Sequence, residues 1–156
     1  MNSDMPPTND FINALSYSNI FLGIKVDTKS ALLSWFSERA STTVNVSRSD
    51  IFSALSNRES LGSTGTGGGM AFPHARIDGL VGVESFFIRL DRAIPFDAID
   101  GQSVDLIVAI LSSKNDDTQH LSVMAAFSRR LRDQVVATKL RTAQSSQSVF
   151  EILNKR

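Results

Sequence analysis

VDLIVAIL, Val104 to Leu111, is apolar almost throughout. A strand with one wet face alternates apolar and polar residues, whereas a strand covered on both faces need not. This segment therefore predicts a strand with structure packed above and below it. Upstream, VGVESFFIRL, Val81 to Leu90, is a second strand candidate. Ile94-Pro95-Phe96-Asp97 and Ile99-Asp100-Gly101 make a turn-rich connection between the two. NIFLGIKV, Asn19 to Val26, is a short β-rich apolar run and reads as a third strand.

Helical patterns lie between and after these strands. Asp27 or Thr28 caps a helix in which Ala31, Leu32, Trp35, Phe36 and Ala40 fall at helical spacing, with Trp35 and Phe36 as core residues. Ser47 or Ser49 caps a second one, along which lie Ile51, Phe52, Leu55 and Arg58, and Leu61-Gly62 stops it. Past the central strand, Asp116, Asp117 and Thr118 are alternative N-caps. The helix that follows is expected to turn Leu121, Met124, Ala125, Phe127 and Leu131 inward, with Arg129, Arg130 and Arg132 solvated or at its C-terminal end. Two shorter helices, Asp133 to Arg141 and Ser146 to Asn154, complete the pattern, the last capped by Ser145 or Ser146. Strands interleaved with helices imply a mixed α/β layered fold, and no repeat or linker divides the chain.

The bulk properties narrow the function. A chain of 156 residues is long enough to bury a real core as one domain. Its 16 basic residues balance 16 acidic ones, so the basic excess of a general nucleic-acid binder is absent. There is no cysteine, which excludes disulfides, thiolate nucleophiles and thiolate metal sites. No run of about eighteen apolar residues suggests a membrane span. The polar start, MNSDMPPTND, does not read as a signal peptide, and a cytoplasmic protein is the expectation. Residues 1–9 are expected to form a flexible tail before a domain spanning 10–156. Asp10 is placed to cap a short turn through Phe11, Ile12 and Leu15.

The chemistry concentrates in GSTGTGGGMAFPHARID, Gly62 to Asp78. Hydroxyls at Ser63, Thr64 and Thr66 stand among closely spaced glycines, whose N–H groups are natural anion partners. Pro73 holds its own φ, pushes Phe72 toward an extended conformation and delivers His74, one of only two histidines in the protein. The other, His120, falls in the first turn of the helix capped near Asp117. A helix N-terminus disfavours imidazolium, so His120 is expected to be neutral and able to donate one N–H. If His74 takes a phosphoryl group, the new dianion needs donors, and His120, Arg58, Ser63, Thr64, Thr66 and loop amides are the candidates. Such transfer asks mostly for in-line positioning and charge stabilisation, and a neutral His74 needs no general base. Arg58 has two readings open to it: satisfying helix-end carbonyls, or pointing its guanidinium into the loop. The loop lacks the Gly-Lys-Ser/Thr of a phosphate-binding P-loop, and two histidines without a carboxylate pattern make a poor metal site. No metal and no cofactor enters the reading.

Several motifs in order carry a resemblance. Arg58-Glu59-Ser60-Leu61-Gly62-Ser63-Thr64-Gly65, followed by Gly67-x-Gly69-Met70-Ala71-Phe72-Pro73-His74, resembles the signature of the phosphoenolpyruvate-dependent phosphotransferase system IIA components of the fructose/mannitol type. Phe96-Asp97-Ala98-Ile99-Asp100-Gly101-Gln102 with Val104-Asp105-Leu106 is most similar to the nitrogen-regulatory branch, and His120-Leu121 matches the family's second histidine. The likeness runs from Asp10 to Leu153. It implies a mixed five-stranded sheet flanked by helices on both sides, phosphorylation of His74 on Nε2, and His120 and Arg58 beside it. It implies a histidine-containing phosphocarrier protein of the nitrogen branch as donor, fed by a phosphoenolpyruvate-dependent enzyme I. The implied output is regulation of targets such as potassium-transport or sensor-kinase proteins, without nucleic acid and without membrane insertion. Two departures stand out: Gly68 replaces the asparagine of a frequent Gly-Asn-Gly, and Ala75 replaces a glycine after the histidine, which requires a negative φ there.

Two alternatives accompany this reading. One is a binding module of the same fold in which Met70 and Phe72 dock a partner, with Asp78, Asp97 and Asp100 as an acidic rim. The other is a sugar-transport IIA component, which differs only in its downstream acceptor.

Overall fold

A computed structural model describes residues 15–154. The expected N-terminal tail and the turn capped by Asp10 lie outside them, save Leu15. In chain order the elements are a 3-10 turn at Tyr17–Asn19, β1 (Ile20–Ile24), α1 (Lys29–Val44), α2 (Arg48–Ser60), β2 (Gly65–Gly67), β3 (Met70–Ala71), β4 (His74–Ile77), β5 (Val83–Ile94), β6 (Val104–Ser113), α3 (Asp117–Arg132), α4 (Gln134–Thr142) and α5 (Ser146–Asn154). The strands form one mixed sheet in the order β1-β5-β6-β3-β2, with β4 also paired to β6. β5 and β6 run antiparallel, while β1 lies parallel to β5, and β3 and β4 lie parallel to β6.

β6 is covered on both faces, as its composition demands. Ile107, Ala109 and Leu111 point into one core with Phe86, Ile88 and Leu90 of β5, closed by Leu32 and Phe36 of α1 and Ile51 and Leu55 of α2. Leu106, Val108 and Ile110 point into a second core with Phe87, closed by Val123, Phe127 and Leu131 of α3, Leu140 of α4, and Val149 and Leu153 of α5. The two-residue alternation of a strand thus serves two cores at once. Phe36 and Phe86 meet edge to face at 4.9 Å between ring centroids, and each such fully buried ring contributes about 1.5–3 kcal/mol.

Serine and threonine hydroxyls start several helices. Thr28 accepts from Ala31 N at 3.0 Å, Ser47 from Asp50 N at 3.1 Å and Ser145 from Ser148 N at 3.0 Å. Asp116 precedes α3 without a side-chain capping bond.

Three expectations are adjusted. The sheet has six strands rather than five because β3 and β4 are one strand line against β6, broken at Phe72-Pro73. Ala71 pairs with Ile107 and His74 with Ile110, so the line stays in register across a proline that has no N–H for the ladder. The segment Gly62 to Asp78 is accordingly not a free loop: it is the hairpin β2–β3 and the strand β4 at the sheet edge. In α3, Leu121 is 62 % exposed and Ala125 is exposed as well. The buried stripe is His120, Val123, Phe127 and Leu131. Its first member is a histidine, which an apolar pattern passes over.

Candidate functional site

His74 opens β4 at the sheet edge and is half-buried. Its Nδ1 lies 2.9 Å from the Phe72 carbonyl oxygen. A carbonyl only accepts, so Nδ1 carries the ring proton and Nε2 keeps its lone pair. Arg58 then donates its Nε–H to that lone pair across 3.2 Å, and its Nη1–H to the Gly62 carbonyl across 2.9 Å. Arg58 thus bonds a backbone carbonyl beyond the helix end and at the same time reaches the histidine ring.

His120 faces His74 with 5.5 Å between ring centroids and planes 57° apart. It is buried, and its Nδ1 lies 2.5 Å from Ser112 Oγ, on β6. A hydroxyl can donate or accept; where it donates to Nδ1, the proton of the neutral ring sits on Nε2. Burial pushes the His120 pKa down to about 4, helped by the positive form of His74 and by Arg76. Desolvation is the largest cause of its neutrality. The pKa of His74 is also lowered, first by burial; the Phe72 carbonyl and Glu59 oppose this, while Arg58 and Arg76 add to it. Both rings are thus held neutral near pH 7.

The hydroxyls are arranged unequally. Ser63 Oγ donates to the Phe96 carbonyl at 2.6 Å and accepts from Gly65 N at 3.0 Å. Thr64, buried, donates its hydroxyl to the Glu59 carboxylate, which also accepts from Thr64 N at 3.2 Å. Thr66 is exposed at the hairpin. Met70 is half-buried, whereas Phe72 is only 5 % exposed and belongs to the second core. Of the expected acidic rim, Asp78 is paired with Lys114 at 3.3 Å and Asp97 with Lys29 at 3.8 Å. Asp100 accepts from Gly68 N at 2.9 Å and Gln102 N at 3.1 Å, and these bonds lower its pKa.

The two sequence departures fit this backbone. Gly68 has φ +67°, and a Cβ there would meet nothing within 4 Å. Asparagine is the side chain most at home in that left-handed region, so glycine and asparagine are interchangeable at this turn. Gly69 differs, because at φ +80° its Cβ would lie 2.6 Å from Arg141 Nη2. Ala75 lies within β4 opposite Leu111 and keeps a negative φ.

Three participants were not singled out from sequence. Glu59, its side chain 6 % exposed, holds Lys29 Nζ at 3.0 Å besides Thr64. Ser112 sets the His120 ring. Arg76, two residues beyond His74 on the same side of β4, pairs with Asp117 in the first turn of α3. Only the last carried a signal, its two-residue offset from His74.

Residues 13–156 match the family model described as "Phosphoenolpyruvate-dependent sugar phosphotransferase system, EIIA 2", and the chain belongs to that family. Its members carry phosphoryl groups between components of the system. Within it, the chain is 35 % identical to a nitrogen regulatory protein of Bradyrhizobium diazoefficiens over 134 residues, 86 % of this chain and 88 % of that protein. It is 34 % identical to the nitrogen regulatory protein of Escherichia coli, covering 83 % of this chain and 80 % of the relative. The crystal structure of nitrogen regulatory protein IIA-Ntr from Neisseria meningitidis superposes with a TM-score of 0.88 at 33 % identity, over 92 % of this chain and 98 % of that one. These similarities support the nitrogen-regulatory form of the family over a sugar-transport component or a non-catalytic module. Among the described residues, no helix is long and apolar enough to cross a membrane.

Proposed function

We propose that the protein accepts a phosphoryl group on Nε2 of His74 from a histidine-containing phosphocarrier protein of the nitrogen branch and regulates target proteins according to its phosphorylation state. The observation that carries this is the Nδ1–H bond to the Phe72 carbonyl, which leaves the Nε2 lone pair as the ring's nucleophile. In the transfer, a P–N bond to the donor's imidazole breaks and a P–Nε2 bond to His74 forms. Nδ1 keeps its proton, so the phosphorylated His74 ring is an imidazolium whose charge the phosphoryl oxygens offset, and the donor ring, protonated on its other nitrogen, leaves neutral with its lone pair restored. Arg58 leaves the lone pair and turns to the arriving oxygens, and His120 donates its Nε2–H to them. Ser63, Thr64 and Thr66 are the further donors in this reading; Ser63 and Thr64 first exchange their bonds to Phe96 and Glu59.

Docking on the donor or on targets is assigned to the face beside Met70 and Phe72, with Met70 the more accessible of the two. The regulatory targets in this reading are proteins such as potassium transporters or sensor kinases, reached in the cytoplasm. The test is incubation with phosphoenolpyruvate, enzyme I and the nitrogen-branch phosphocarrier, followed by measurement of acid-labile phosphate. Wild type should be labelled and His74→Ala should not. Equal labelling of the two would refute the assignment, and target binding insensitive to both His74→Ala and His74→Asp would favour a non-catalytic module instead.

A further inference from the structure

Beside the histidine pair, with neither ring in its wall, lies a cavity of about 640 Å³. The hairpin β2–β3 forms one wall through Thr66, Gly67, Gly68 and Met70, and the end of α3 with α4 forms the other. Its apolar surface comes from Met70, Phe72, Leu131 and Ala137. Its polar surface comes from Thr66, Ser128, Gln134 and Thr138, together with the guanidinium groups of Arg132 and Arg141. Among the described residues, no carboxylate lines it.

The two arginines differ in a way that matters. Arg141 is held in place: its Nε lies 3.0 Å and its Nη2 2.9 Å from the Asp105 carboxylate, and Nη2 also donates to the Gly68 carbonyl at 2.9 Å. Arg132, in the last turn of α3, makes no ion pair or side-chain hydrogen bond among the described residues. It is the one guanidinium of the cavity whose donor fork is free for a ligand. A concave site of this size, lined by apolar side chains and a few polar groups, suits a small molecule. A planar guanidinium fork selects a carboxylate or phosphate.

We propose that this cavity binds a small organic anion, its charged end on Arg132 and its apolar body against Met70, Phe72, Leu131 and Ala137. Binding here would be felt at the histidine. Phe72 lines the cavity and gives its carbonyl oxygen to His74 Nδ1, so one residue joins the two sites.

The test is a titration of the full chain by two-dimensional NMR, with methyl-labelled methionine and ring-labelled histidine. The probes are 4-phenylbutyrate and, as its neutral counterpart, 4-phenylbutyramide. The acid should shift the Met70 methyl and the His74 ring signals saturably, with a Kd on the order of millimolar for so small a ligand. The amide should bind roughly tenfold more weakly, as should the acid to Arg132→Gln. Thr138→Phe, which fills the cavity from an exposed position, should abolish the shifts while leaving the rest of the spectrum in place. Equal affinity for acid and amide, an unaffected Arg132→Gln, or shifts that never saturate would each overturn the proposal. None of these readouts depends on phosphorylation.

Discussion

Arg58 Nε and His74 Nε2 lie 3.2 Å apart, with the guanidinium N–H aimed at the lone pair that the proposed chemistry uses. The free protein therefore keeps its nucleophile covered by the group that is to hold the product's charge. Arg58→Gln removes a positive neighbour, and the His74 pKa should rise, since Arg58 is one of the causes that lower it. A pH titration of the His74 ring signals checks the sign. Phosphoryl acceptance should fall at the same time by about a hundredfold, the usual cost of losing a preorganised donor to developing charge.

Ser112 is expected to act on the reaction through His120. Replacing it with alanine removes the hydroxyl 2.5 Å from Nδ1 and frees the ring to exchange tautomers. Long-range ¹⁵N spectra of Ser112→Ala should show a mixture of protonated Nδ1 and Nε2 where wild type shows Nε2–H alone. Stability should drop by about 1 kcal/mol. His120→Ala should leave His74 reactive but slow its labelling roughly 10- to 100-fold.

Acid should weaken the fold through the same residue. The His120 pKa is lowered from 6.5 to about 4 in the folded protein, so between these values the unfolded chain binds the extra proton. Stability is then full above pH 6.5 and is lost as the pH falls toward 4. The loss should be on the order of 3 kcal/mol, because each tenfold drop in proton affinity on folding is worth about 1.4 kcal/mol. Urea titrations across this range should show the slope in wild type and a flatter line in His120→Gln.

Glu59 ties helix to hairpin. Its nearly buried carboxylate takes the Thr64 amide and hydroxyl and pairs with Lys29, so Glu59→Ala leaves the two Thr64 donors without their acceptor and Lys29 with only the more distant Asp97. The expected cost is about 2–4 kcal/mol, read as a lower urea midpoint at unchanged slope. Thr64→Val, which removes the hydroxyl alone, should cost less.

Much of this architecture was legible in the sequence because it rests on local chemistry. The apolar run of β6, the caps at Thr28, Ser47 and Ser145, and the break after Leu61 each carry their cause within a few residues. The approach of His74 to His120 was anticipated from a helix start and from family likeness. Burial by distant elements was less visible. The stripe of α3 begins with a histidine, so an apolar pattern turns Leu121 inward where the structure exposes it, and Glu59 and Ser112 reach Thr64 and His120 through side-chain bonds that hydrophobic periodicity does not register. The glycine-rich segment resembled a loop because its strands are only two to four residues long and are interrupted by Pro73.

The central claim is that Nε2 of His74 is the atom that receives the phosphoryl group. The most direct measurement is ³¹P and ¹⁵N NMR on the protein phosphorylated through the phosphocarrier, with ring-labelled histidine. The account predicts phosphorus coupled to Nε2 of His74, with Nδ1 still protonated against the Phe72 carbonyl and His120 unmodified. Phosphorus on Nδ1 of His74, or on His120, would contradict it.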